Sequence, residues 1–154
     1  MKSNPKVLIL CPYPLGVSPS QRFRFEQYLD ILRGRGVVID VRPFLDMETM
    51  RIVFKPGHMA KKVLGVISGF ARRLLTLPRV FGYDYIFVHR EATPLGPPFV
   101  EAILFLLGRP VIFDFDDAIF ISKTSKVNRI VAFAKWSSKI RFITRHSMKV
   151  AVCN

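Results

Sequence analysis

Cysteine, acid and long apolar runs are all scarce in this 154-residue chain. Its two cysteines, Cys11 and Cys153, cannot build a disulfide framework, and a reducing cytosol suits them best. No apolar stretch reaches the ~18 uncharged residues of a membrane span. The opening MKSNPKVLILCPYP carries a short apolar run cut at once by prolines, unlike a signal segment with its cleavage site. No internal repeat or low-complexity linker is present. G-x-G-x-x-G is missing too, so a dinucleotide fingerprint is absent and an oxidoreductase reading is poor. The expectation is a cytoplasmic protein, soluble or peripheral on the inner face of the cell membrane.

The shortage of acid has the sharpest consequence. Lys and Arg number 24 against 11 Asp and Glu, a net charge of +13, which points to an anionic partner. The imbalance is uneven. From Arg51 to Val80 there are seven basic residues and no acid, and from Ala118 to Asn154 eight and none. Nucleic acid is the poorest of the anionic partners: the 14 Phe are placed for a core rather than for base stacking, and no recognition motif is present.

Half of the residues are hydrophobic, and a chain of this length buries roughly 70% of its unfolded surface, so one domain with a real core is expected. KVLILCPYP (6–14) reads as a strand buried on both faces. A helix with Phe23, Phe25, Tyr28, Leu29 and Leu32 at helical spacing follows, stopped by Gly34 and Gly36. VVIDVRPFL (37–45) is a second strand. MAKKVLGVISGFARRLLTLPRVF is a basic helix open to a break at Gly65 or Gly69. YDYIFVHRE is a third strand and PPFVEAILFLLG an apolar helix. PVIFDFDDAIF (110–120) is a fourth strand, KVNRIVAFAKWSSKIRFITRHS a basic helix, and KVAVCN a fifth strand. Alternating strands and helices with helix-length connections give an α/β, Rossmann-like, doubly wound parallel sheet.

In such sheets ligands bind beyond the carboxyl ends of the strands, and chemistry-bearing residues gather there. DFDD places Asp114 and Asp116 on one strand face and Asp117 on the other. Three readings of this cluster stand. It contacts substrate through Asp116 and Asp117; it caps a helix through Asp117 and pairs with Arg90 or Arg24; or its Asp-x-Asp holds a divalent cation, although one carboxylate pair binds hard cations weakly. His89, Arg90 and Glu91 end the third strand, where an imidazole suits hydrogen bonding or acid–base work. Gly16 and Ser18 lie in the first loop, where backbone N–H groups can meet a phosphate. Arg22 and Arg24 alternate with Phe where the helix opens and suit bidentate phosphate recognition. Lys61, Lys62, Arg72 and Arg73 border an apolar helical face, which suits contact with an anionic membrane or packing on the sheet.

With those segments in view, the chain resembles the N-terminal domain of two-Rossmann-domain (GT-B) glycosyltransferases of the retaining family 4. The stretches KVLILCPYPLGVSPSQRFRFEQYLDILRGRG, YDYIFVHREATPLGPPFVE and RPVIFDFDDAIF carry the likeness. The resemblance implies an acceptor-side half of a hexosyltransferase acting on a membrane-proximal glycan or lipid-linked acceptor. The nucleotide-sugar is then a co-substrate, with no cofactor and no metal. It places Gly16 near the donor diphosphate and His89 and the Asp116–Asp117 pair near the transferred sugar, and in the transferase reading Asp116, Asp117, Glu91 or His89 would orient the acceptor hydroxyl. Many relatives carry His-Asp where this chain has Asp116–Asp117. The family's donor-binding domain is not in the 154 residues, so the expectation is a truncated chain, a subunit or a relic, inactive alone. The alternative is a non-catalytic basic module that binds a membrane or a partner.

Overall fold

Five parallel strands form one sheet in the order β2-β1-β3-β4-β5. The computed structural model describes residues 4–116 and 138–152. β1 is Lys6–Cys11, β2 Val38–Pro43, β3 Tyr85–His89, β4 Val111–Phe115 and β5 Lys149–Val152. Among the described residues the α-helices are α1 (Pro19–Arg24), α2 (Leu29–Gly34), α3 (Met47–Val53), α4 (Met59–Thr76), α5 (Phe99–Leu106) and α6 (Lys139–His146). The α/β, Rossmann-like reading of the sequence is what the structure has.

Side-chain alternation divides the sheet into two faces. Leu8, Leu10, Ile86, Val88, Val111 and Phe113 point to the first, where residues of α5 and α6 join them in the larger core. Ile9, Cys11, Phe25 and Leu29 form a smaller core on the second. That second face also carries a groove of about 590 Å³, lined by Val7, Ile39, Phe87 and Ile112 among others.

The helix expected after β1 is divided. Phe25 leaves the helical region (φ −144°), and a short 3-10 turn, Glu26–Tyr28, precedes α2. The break lets the Phe25 ring lie edge-on to both Phe87 and His89, with centroids 5.9 and 5.5 Å away. α3 was not anticipated, although its signal is in the sequence: Asp46 caps it by accepting the Thr49 N–H at 2.7 Å.

α4 runs unbroken through Gly65 and Gly69. The glycines are contact points: a Cβ on Gly65 would lie 2.2 Å from Thr49 Oγ1, and one on Gly69 2.7 Å from the Phe44 ring. The stripe Gly65, Gly69 and Arg73 therefore faces inward, while Met59, Val63, Leu64, Ile67, Leu74 and Leu75 are exposed.

Candidate functional site at the carboxyl ends of the strands

The parallel register sets His89 beside Asp114 at the ends of β3 and β4. His89 Nδ1 lies 2.7 Å from Asp114 Oδ2, and both residues are buried. The other oxygen, Oδ1, accepts from Arg24 Nε at 3.0 Å and also from Nη2 of the same guanidinium. Asp114 thus has a partner on each oxygen, which is how a carboxylate is carried inside a fold. On the outer side of the imidazole, Nε2 lies 3.2 Å from Ser20 Oγ. With Nδ1–H given to Asp114, Nε2 is left to accept the Ser20 hydroxyl proton.

A second pair adjoins the first. Arg90 Nε donates to Asp116 Oδ1 at 3.0 Å. Burial raises the Asp116 carboxyl, but hydrogen bonds from Ser20 and Arg90 and the Arg90 charge outweigh it and hold the group below the usual range. Ser20, whose Oγ meets His89 Nε2, thus also bears on the charge of Asp116. Arg90 sits in the left-handed region (φ 61°), a strain of roughly 1–2 kcal/mol for a residue with a Cβ. Its N–H is given to the Asp114 carbonyl at 2.7 Å, which holds the turn out of β3 against β4.

The first loop is tied down from within. The buried Gln21 side chain accepts the Tyr13 N–H at 3.0 Å and donates to the Tyr13 carbonyl at 2.9 Å. Gly16 takes the positive φ (79°) that its place in the turn requires, but its N–H is donated to Glu26 Oε2 at 2.9 Å. The amide expected to meet a phosphate is already engaged by a carboxylate. Ser18 supplies no side-chain cap to α1, Arg22 is exposed, and Arg24 is held by Asp114.

The structure thus joins His89, Arg24, Arg90 and Asp116 in one network with Asp114 and Ser20. Of these, His89 is enclosed and reaches the surface through Ser20. Glu91 is half-buried, 3.9 Å from Lys139 Nζ, on the side of Thr93 and Glu101. Asp117 lies outside the described residues, as does Cys153. Among the described residues no three His, Cys, Asp or Glu side chains are grouped to hold a metal ion.

Of the four cations expected at a membrane, Lys61 is exposed and Lys62 is half-buried, with its Nζ on the Lys55 carbonyl. Arg72 is half-buried and ties α4 to the start of α3, and Arg73 alone is withdrawn from the surface. Arg72 donates to the Phe44 carbonyl at 2.8 Å and to Asp46 at 3.1 Å. Arg73 is fully buried, giving Nε to Ala92 O, Nη1 to Arg42 O and Nη2 to Cys11 O at 2.6 to 2.8 Å. Burial pulls its guanidinium down to about 10. A side chain used in this way cannot touch a lipid.

Sequence reasoning did not bring Ser20 into the site and gave Asp114 no histidine partner, whereas its expected pairing of the aspartate cluster with Arg24 or Arg90 is present, as Asp114–Arg24 and Asp116–Arg90. Asp114 is marked by its strand register with His89, and Ser20 by the packing of α1 over the end of β3, which no neighbour in sequence announces. No protein-family model matches the chain, and no curated protein matches it significantly.

Proposed function

We propose that the chain is the acceptor-side half of a nucleotide-sugar-dependent glycosyltransferase working beside a membrane. The observation that supports it best is the Ser20–His89–Asp114–Arg24 and Asp116–Arg90 network. Three segments meet there at the edge of a parallel sheet where ligands bind in such folds. In this reading Ser20 and Asp116 meet the acceptor hydroxyl, and the buried His89 holds Ser20 in place. The exposed Arg22 faces the donor diphosphate, which a second domain binds, in the same chain or another. Developing charge on the leaving diphosphate is stabilised by such fixed cations and N–H groups.

Ligand-observed NMR on the purified chain, with a panel of octyl glycosides and nucleotide-sugars, tests the assignment. Binding is expected for a glycoside, and it should be lost in Asp116→Ala. A silent panel, or binding that Asp116→Ala leaves intact, overturns the reading. The chain alone is expected to give no sugar transfer.

A second reading is favoured by the outward apolar face of α4. In it the chain is a basic module that lies on an anionic membrane without catalysing. Phe54, Arg51, Lys55 and Lys61 are exposed as well, the mixture of apolar and cationic groups that lipid headgroups attract.

A further inference from the structure

The geometry points to Ser20 as an activated nucleophile, able to take an acyl group from an ester by way of His89 and Asp114. Three contacts carry this. Ser20 Oγ is 3.2 Å from His89 Nε2, His89 Nδ1 is 2.7 Å from Asp114 Oδ2, and Arg24 fixes the remaining Asp114 oxygen. A hydroxyl, an imidazole and a carboxylate joined through opposite ring nitrogens are the parts of a serine nucleophile with its base and orienting acid. Burial is graded in the useful direction. Asp114 and His89 are enclosed, Phe25 packs its ring edge-on to the imidazole, and Ser20 alone of the three is partly open to solvent. This activity does not depend on the sugar-transfer reading.

The step balances without a co-reactant beyond the ester and water. As Ser20 Oγ bonds to the ester carbonyl carbon, its proton passes to His89 Nε2. The carbon–alkoxide bond then breaks, and the alcohol leaves with that proton. Water attacks the acyl-serine with the same base, releasing the acid and restoring Ser20.

A fluorophosphonate probe, which traps activated serines, tests this on the intact chain with mass spectrometry and peptide mapping. The folded protein is expected to gain one adduct, on Ser20, absent from Ser20→Ala and from urea-unfolded wild type. A second arm uses Ser20→Cys, whose thiol gains the same base. Iodoacetamide at about pH 6 should alkylate position 20 on the order of a hundredfold faster in folded than in unfolded protein. Buried Cys11, whose thiol burial pushes up to about 12, should stay silent in the folded chain. No adduct on folded wild type, an adduct elsewhere, or equal rates in folded and unfolded Ser20→Cys overturns the inference. A serine in a purely structural hydrogen bond would show neither reaction.

Discussion

Among the described residues Arg73 has three carbonyl partners and no salt-bridged carboxylate, so its role can be read from what its removal would leave behind. Arg73→Met would abandon the carbonyls of Cys11, Arg42 and Ala92 inside the protein. The expected loss is about 3 kcal/mol of stability, measured by urea unfolding. Arg73→Lys should recover little of it, because an ammonium cannot reproduce the planar fork that spans three directions. In the sequence this residue is one more cation in ARR, beside a neighbour with a different task. Only the tertiary structure separates Arg72, which serves the cap of α3, from Arg73, which joins the ends of β1 and β2 to the segment after β3. The same holds for Asp114. A carboxylate within VIFDF reads as a burden until the strand register supplies His89 and the helix supplies Arg24.

At the scale of elements, α4 was legible as a helix and illegible in its orientation. Periodicity shows that apolar residues share one face, and it is silent on where that face points. The deciding feature is the small-residue stripe opposite, where Gly65 and Gly69 let the helix approach Thr49 and Phe44. Gly65→Ala raises intrinsic helix propensity by about 1 kcal/mol. A net destabilisation of roughly 1–3 kcal/mol is nevertheless expected in thermal unfolding, because the added methyl meets Thr49. Thr49→Ala in the same chain should restore part of the loss by removing the two closest atoms. Equal stability of Gly65→Ala and wild type would show that α4 does not pack as described. The division of the first helix has a similar cause. Helical spacing marks Phe25 and Leu29 as core residues, but Phe25 reaches Phe87 and His89 only by leaving the helical conformation.

For the whole molecule, the charge of +13 and the outward face of α4 lead to one expectation. The chain should sediment with phosphatidylglycerol vesicles, less so as salt rises, and weakly with neutral ones. Ile67→Asp should weaken that binding by roughly tenfold or more, about 1.4 kcal/mol, by setting a charge in the apolar face. Vesicle binding unchanged by Ile67→Asp would remove α4 from the contact. Among the described residues no helix is long and apolar enough to cross a membrane. Apart from α3 and the division of the first helix, the alternation of strands and helices, the parallel sheet and the edge at which its chemistry gathers followed from local patterning, because alternation and turn residues act over short spans of chain. Which cation faces water, which aspartate is partnered and which serine meets the histidine were settled by tertiary structure alone. Those outcomes depend on register and packing between residues 69 and 90 positions apart, and no local pattern encodes a distance of that kind.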